Sequence, residues 1–397
     1  MRPLLVPWLV VLCACEGRLI SAPLVVEAPP AVTAPTPTPT PIQTPQQPIA
    51  EARAQVTGPE AIRFARRVAP MLVGRVPTEA ELARLASGGA AWREVLSTWV
   101  AEAGFADAAR DWISVKLKAS GTKDGVNGDL PGNLAAHLVR TGRPHGELLT
   151  ADRCYDRAGQ PTACDSGAPF TAGVLTTRAF LKTTASRFNL KRARTVLATF
   201  GCAEYPLDPV LQPPLAREQL IPLFQVDQLS DTAAGAFGNG FACYTCHSQF
   251  SAHAQLFVKF DDQGLYRAAA TGLQDPMAEQ GRSTNGLFTS HLLGDAAGRE
   301  HSQVFGRPVQ NLAEGARVIA ESPLFLECSV RSWLGYALGL SESEAKSLPA
   351  SVVKEIVSEA TRQAAQPTLA QLVVEAFSHP SVVRAVRGAA TSPGPAP

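Results

Sequence analysis

The chain has 397 residues, with 36 Lys and Arg against 35 Asp and Glu and a formal net charge of +1. That balance leaves no basic excess to neutralise phosphates, which argues against nucleic acid as a principal partner. Apolar residues make up 45% of the sequence, enough for a packed core and too many for wholesale disorder, and no apolar run reaches the roughly 20 residues of a membrane-spanning helix.

Arg2 is followed by an apolar stretch from Leu4 to Ala14 and then by Cys15. A short basic start and an apolar run of this length describe an export signal over residues 1–14. Leu12-Cys13-Ala14-Cys15 resembles the lipobox of bacterial lipoproteins, in which a Cys after a small residue is lipidated and becomes the mature N-terminus. The competing reading is an ordinary signal cut after Ala22, but Pro23 is a poor cleavage context. Glu16 follows that Cys, and by resemblance to Gram-negative lipoproteins the lack of Asp there implies the outer membrane. From Pro23 to Pro48 there are 9 prolines in 26 residues, which precludes helix or sheet. Residues 15–58 therefore read as a lipid anchor with a stiff tether, whose Pro23–Pro48 stretch reaches roughly 80 Å if extended as polyproline.

Residues 59–120 read as a small helical bundle. Ile62, Ala65, Ala69 and Leu72 recur at helical spacing, and Thr78 with Glu81 forms a capping-box pattern. Trp92, Trp99 and Trp112 fall on apolar stripes and are assigned to the core. Residues 121–172 lack periodicity and are rich in Gly, Asp, Asn and Pro, so an irregular connection is expected there. Helical patterns resume at 174–186 and 190–199, and return at 312–320, 323–338, 352–364 and 369–377. Ser341 with Glu344 and Thr368 with Gln371 are further candidate caps. Residues 388–397 read as a frayed tail. The fold class expected is mainly α, with the N-terminal bundle followed over 173–387 by a larger helical, cytochrome-c-like domain with long irregular loops.

One motif carries specific chemistry. Cys243-Tyr244-Thr245-Cys246-His247 is the attachment pattern for c-type haem. Two thiols add across the haem vinyl groups, two intervening residues set their separation, and the adjacent His ligates the iron. With 8 Cys and 7 His in the chain, composition alone predicts about 0.003 occurrences by chance, so coincidence is a poor explanation. Export agrees with it, since c-type haem is attached outside the cytoplasm. A thioredoxin-like site would want a neighbouring βαβ pattern, and a zinc site a second Cys pair; neither is evident.

After Cys13, Cys15, Cys243 and Cys246 are assigned, Cys154, Cys164, Cys202 and Cys328 remain. An exported protein should pair them, with three connectivities open. The arrangement favoured is Cys154 with Cys164 and Cys202 with Cys328.

Several stretches resemble a family. The haem motif is followed by Phe260-Asp261-Asp262-Gln263-Gly264-Leu265-Tyr266-Arg267, then by Ala320-Glu321-Ser322-Pro323 leading to Cys328, and by Tyr336-Ala337-Leu338-Gly339. Upstream, Gly173-Val174-Leu175-Thr176 leads to Leu197-Ala198-Thr199-Phe200-Gly201-Cys202. Over about 173–387 this is similar to the planctomycete-cytochrome-associated domains of unknown function, which carry one haem motif per chain and also occur in exported myxobacterial-type proteins. The resemblance implies a helical, extracytoplasmic, haem-c-bearing domain and no settled reaction. It also suggests the Cys202–Cys328 pairing. The family tends to show an Asp-Pro turn after the motif, whereas this chain reads Ser248-Gln249-Phe250-Ser251-Ala252-His253.

The function expected is single-electron transfer by an outer-membrane-anchored monohaem lipoprotein serving a redox partner protein that the sequence does not identify. Two alternatives stay open: a haem enzyme of peroxidase-like or oxidase-subunit type, and a haem-free surface binding or structural module. For the sixth iron ligand, Met277 follows Asp275-Pro276 in a Gly-bracketed loop 30 residues after His247. A Met filling a gap beneath a loop is the plain alternative. His253 is the rival ligand, six residues from His247 and too near if both share a helix. His291 and His301 are more distant rivals. Arg267 and Lys259 are candidate partners for haem propionates, or surface cations beside Asp261 and Asp262. His137, His145, His291, His301 and His379 otherwise read as surface or capping residues.

Overall fold

The computed structural model describes residues 56–88, 90–220, 241–268, 292, 298–341, 344–345 and 347–383, without the side chains of 187, 217 and 241–243. The signal segment, Cys15, the tether up to residue 55, Met277, His291 and the tail lie outside the described residues, as does the side chain of Cys243.

The described chain is mainly helical. Helices α1 (Gly58–Val73), α2 (Glu79–Leu85), α3 (Ala90–Trp99) and α4 (Ala103–Leu117) build the N-terminal part. They are followed by α5 (Leu130–Arg140) and the single turn α6 (Glu147–Thr150), then by α7 (Arg178–Thr183), α8 (Leu190–Gly201) and α9 (Phe241–Gln255). The C-terminal helices are α10 (Leu312–Glu321), α11 (Pro323–Leu338), α12 (Ala350–Gln363) and α13 (Leu369–Ser378). Three two-stranded antiparallel hairpins interrupt them: β1–β2 (Thr122–Lys123, Val126–Asn127), β3–β4 (Cys154–Tyr155, Pro161–Thr162) and β5–β6 (Ser302–Val304, Arg307–Val309).

The three capping boxes read from sequence form as reciprocal bonds. Thr78 N–H donates to Glu81 Oε2 at 2.7 Å while Glu81 N–H donates back to Thr78 Oγ1 at 3.2 Å. Ser341 with Glu344 and Thr368 with Gln371 repeat the geometry. Each satisfies helix-start donors that would otherwise compete for water. Glu81 has a second task. Arg75 bonds both its oxygens, at 2.9 and 2.7 Å, and also bonds Glu102 at the start of α4; Trp99 Nε1 donates to Glu81 at 2.7 Å. The Arg75 bonds, foremost, hold the Glu81 carboxyl down at about 2.

The core runs through both halves of the chain. Trp92, Trp99 and Trp112 are buried, as their stripes require. Trp92 Nε1 donates to Phe377 O at 2.8 Å, Phe64 packs against Phe377, and Trp112 meets Trp333 edge-on at 5.0 Å between centroids. The apolar faces of α1, α3 and α4 thus bury themselves against α11 and α13, in one cluster with the 173–383 residues. A sequence boundary at 120 marks a change of local pattern but no gap in the core.

Two expectations need correction. Residues 121–172 are not wholly irregular: α5 spans 11 residues and most of it is buried. Its Pro131 and Gly132 look like loop residues. Pro at the first helical turn lacks only an N–H that has no helical partner anyway. Gly132 allows close approach to α4, since a Cβ there would lie 2.5 Å from Ser114 Oγ and 2.8 Å from Arg110. The segment expected as helix over 174–186 is helical only at Arg178–Thr183. Before it, the Thr176 and Thr177 hydroxyls bond Gly173 O and Val174 O and hold turns instead.

Disulfides join Cys154 to Cys164 and Cys202 to Cys328. The first ties the start of β3 to the chain just beyond β4, across the open end of that hairpin. The second ties the end of α8 to the middle of α11.

Candidate functional site

All three positions of the haem-attachment pattern lie on α9. At 3.6 residues per turn, positions 243, 246 and 247 are an i, i+3, i+4 set and share one helix face. Cys246 is part-exposed and stands outside both disulfides. His247 is 3% exposed, and its ring lies 4.3 Å from that of Phe250, one turn further along the same face. The donor set therefore fits a c-type haem: two thiol positions and an imidazole converge on one side of a rigid element. Where the family resemblance would place an Asp-Pro turn, Ser248 to His253 simply continue the helix.

The opposite flank of α9 is locked by the segment after α8. Gln249 exchanges bonds with Leu207, donating to Leu207 O at 2.9 Å and accepting from Leu207 N–H at 2.6 Å, and donates to Gln212 O at 2.9 Å. Leu215 N–H donates to Ser248 O at 2.7 Å, and Tyr244, inside the motif, donates its hydroxyl to Leu215 O at 2.7 Å. Beside Tyr244 a small apolar cluster gathers Phe188, Leu220 and Leu292. These contacts fix the rotation of α9 about its own axis, and so the direction in which the motif face points.

His253, the rival ligand, shares α9 with His247, about 120° round the helix and roughly 9 Å along it. It is committed elsewhere. Tyr205 OH bonds Nδ1, and Nε2 bonds Gln212 Oε1 at 3.1 Å. An amide oxygen only accepts, so Nε2 carries the proton and Nδ1 accepts from the phenol. Burial lowers the His253 pKa to about 4, keeping the ring neutral. His253 is a structural residue of the helix flank.

Arg267 bonds Asp261 Oδ2 through Nε and Nη2, both at 2.8 Å, and its side chain is half-exposed. Asp261 is buried and also accepts from the amides of Gln263 and Leu265. The cation thus closes the 261–267 turn, the plainer of its two readings. Lys259 donates to Ala268 O at 3.2 Å. Behind this turn sits a residue that sequence reading passed over. Arg192 on α8 is fully buried and donates to Leu181 O, Asn189 Oδ1 and Phe260 O, at 2.7–3.1 Å, and also to Asp261 O. Burial pushes its guanidinium down to about 9, against Asp261, and it stays charged at neutral pH. It clamps the chain leaving α9 to α7 and α8. Only the run Leu190-Lys191-Arg192-Ala193-Arg194 hinted at it, and such runs usually mark a solvated face.

Among the scattered histidines, His301 is exposed as expected, and it is His145 that needs correction. His145 is buried, stacked between Trp112 and Phe325 at centroid distances of 6.0 and 5.1 Å, with Nε2 2.9 Å from Ser329 Oγ. His379 is the C-cap of α13, as expected of a capping residue; it is buried, its Nδ1 accepts from Ser381 N–H at 3.2 Å and its Nε2 bonds Glu355 at 3.2 Å. His137 stacks on Tyr155 at 3.5 Å.

Among the described residues, no group of three or more His, Cys, Asp or Glu side chains could hold a metal ion by itself. No helix among them is long and apolar enough to cross a membrane. No family model, curated protein or solved structure matches the chain.

Proposed function

We propose that this chain is a monohaem c-type cytochrome-like lipoprotein, anchored in the outer membrane through Cys15, that passes single electrons to a redox partner protein. Its kinship would then be with the planctomycete-cytochrome-associated proteins that its motifs resemble. The supporting observation is positional: Cys243, Cys246 and His247 occupy one face of α9, and the other side of that helix is pinned through Tyr244, Ser248 and Gln249. Cys243 and Cys246 would hold haem c covalently and His247 would ligate its iron. The group supplies one-electron chemistry when bound. The chain excludes water from the His247 ring, fixes the helix that carries it, and commits His253 to Tyr205 and Gln212. Met277 is proposed as the sixth ligand, presented by the loop beyond the Asp261–Arg267 turn.

The deciding experiment is a haem stain after denaturing electrophoresis, with the chain co-expressed with a haem-attachment system. Thioether-bound haem stays on the wild-type band, and the Cys243→Ala/Cys246→Ala variant loses it. A wild-type band that never stains overturns the reading. Cys15→Ser should abolish acyl labelling. Met277→Ala should erase the weak near-infrared band of Met–iron ligation; an unchanged spectrum removes Met277 from the iron.

A further inference from the structure

The bonds that commit His253 to the flank of α9 also pair a phenol with a base. Tyr205, in the segment after α8, donates its hydroxyl to His253 Nδ1. His253 is buried and Tyr205 is part-buried. The tautomer is fixed from behind. Gln212 is buried, and its Oε1 accepts from Phe305 N–H at 2.7 Å as well as from His253 Nε2–H at 3.1 Å. The backbone donor decides which end of the amide faces the ring, so Nε2 keeps its proton and the Nδ1 lone pair faces the phenol. Burial raises the Tyr205 pKa well above the usual phenol value, and the hydroxyl stays protonated.

This pairing prepares the phenol to lose an electron and a proton together. A phenol that loses one electron becomes a strong acid, far stronger than an imidazolium, even one whose pKa burial has lowered to about 4. The proton already has a bonded acceptor. After the transfer, Nε2–H still donates to Gln212 Oε1, now as a charge-assisted bond. Other tyrosines are placed differently. Tyr244 donates to Leu215 O, an amide oxygen that takes no proton. Tyr266, in the Asp261–Arg267 turn, bonds the Glu300 carboxylate at 3.1 Å. Tyr205 is also the phenol joined to the motif face through another ring: it lies 5.1 Å from Phe250, which lies 4.3 Å from His247, centroid to centroid.

We propose that Tyr205 is a redox-active tyrosine with His253 as its proton acceptor. The co-reactant is a strong one-electron oxidant, of the class that peroxides generate. It takes one electron from the Tyr205 ring; the phenolic O–H bond breaks and an N–H bond forms at His253 Nδ1, leaving a neutral phenoxyl radical beside an imidazolium. One electron from a reductant and return of that proton restore the pair. The pair does not depend on haem; only the Phe250 route to His247 rests on the haem reading.

The test is flash photolysis of the full-length chain with tris(bipyridine)ruthenium(II) and an irreversible electron acceptor, which delivers ruthenium(III) as the oxidant. Phenoxyl absorption gives the rate, and electron paramagnetic resonance of frozen samples tells tyrosyl from tryptophanyl radicals. The wild-type chain should show a fast phenoxyl phase that slows in deuterated water. Its rate should be constant between about pH 5 and pH 8, because His253 is neutral throughout. Tyr205→Phe should remove the phase, and Tyr266→Phe should leave it. His253→Gln offers the phenol an acceptor that cannot take its proton, and should slow the phase about a hundredfold. A phase that survives Tyr205→Phe, a rate unchanged in deuterated water, a rate that rises with pH, or an unchanged rate in His253→Gln would each overturn the proposal. The isotope effect and Tyr205→Phe decide the matter even if His253→Gln does not fold.

Discussion

Replacing His145 by Phe is expected to blunt the loss of stability that this protein suffers in mild acid. In the folded chain His145 is enclosed by Trp112, Phe325 and Ser329, and burial, aided by the Lys116 charge, lowers its pKa from 6.5 to about 3. The unfolded chain therefore binds a proton at this residue below pH 6.5 that the folded chain refuses down to about pH 3. Stability from this residue is full above pH 6.5 and falls as pH drops through that window. Between pH 7 and pH 5 the linkage amounts to about 2 kcal/mol for one such histidine, and His253, lowered to about 4, adds a similar amount. Phe keeps the stack between Trp112 and Phe325 and carries no proton. It sacrifices the bond to Ser329, worth about 1 kcal/mol at pH 7, although the Ser329 hydroxyl keeps its bond to Phe325 O at 2.8 Å. Urea unfolding at pH 7 and pH 5 measures the effect, with carboxylate contributions common to both proteins. The variant should lose about 2 kcal/mol less than wild type over that interval. Equal losses would mean that His145 titrates normally in the fold, and the account of its burial would fail.

Gly132→Leu should force α4 and α5 apart and cost about 3 kcal/mol, read as a lowered thermal midpoint; a wild-type midpoint would show that the helices do not approach through that residue. Arg192→Met should cost about 3–5 kcal/mol by leaving buried carbonyls unbonded, and should speed hydrogen exchange of the Phe260–Arg267 amides before that of α12. Uniform loss of protection would refute its role as a local clamp. Cys202→Ser/Cys328→Ser should cost up to about 5 kcal/mol in urea unfolding, against about 3 for Cys154→Ser/Cys164→Ser, because the first pair spans 126 residues and the second 10. The reverse order would show that loop length is not what governs either bond.

What was legible in the sequence is what chain neighbours decide. The capping boxes at Thr78, Ser341 and Thr368 need only residues three apart, and they form. The helices from 312 to 378 follow from apolar spacing alone, and the end positions differ from the pattern by no more than two residues. The Cys-Tyr-Thr-Cys-His pattern is equally local, because positions 243, 246 and 247 land on one face of whatever helix carries them. Tertiary structure decided everything that turns on a partner distant in the chain. Gly132 reads as a breaker until α4 lies against it. His145 reads as a surface residue until Trp112 and Phe325, 33 residues before it and 180 after it, close around the ring. Arg192 reads as one cation in a basic run until the carbonyls of Leu181, Phe260 and Asp261 converge on it. Local pattern fixes which residues are able to be buried, but a polar group is buried only where the fold brings it enough partners to replace water, and those partners come from elsewhere in the chain.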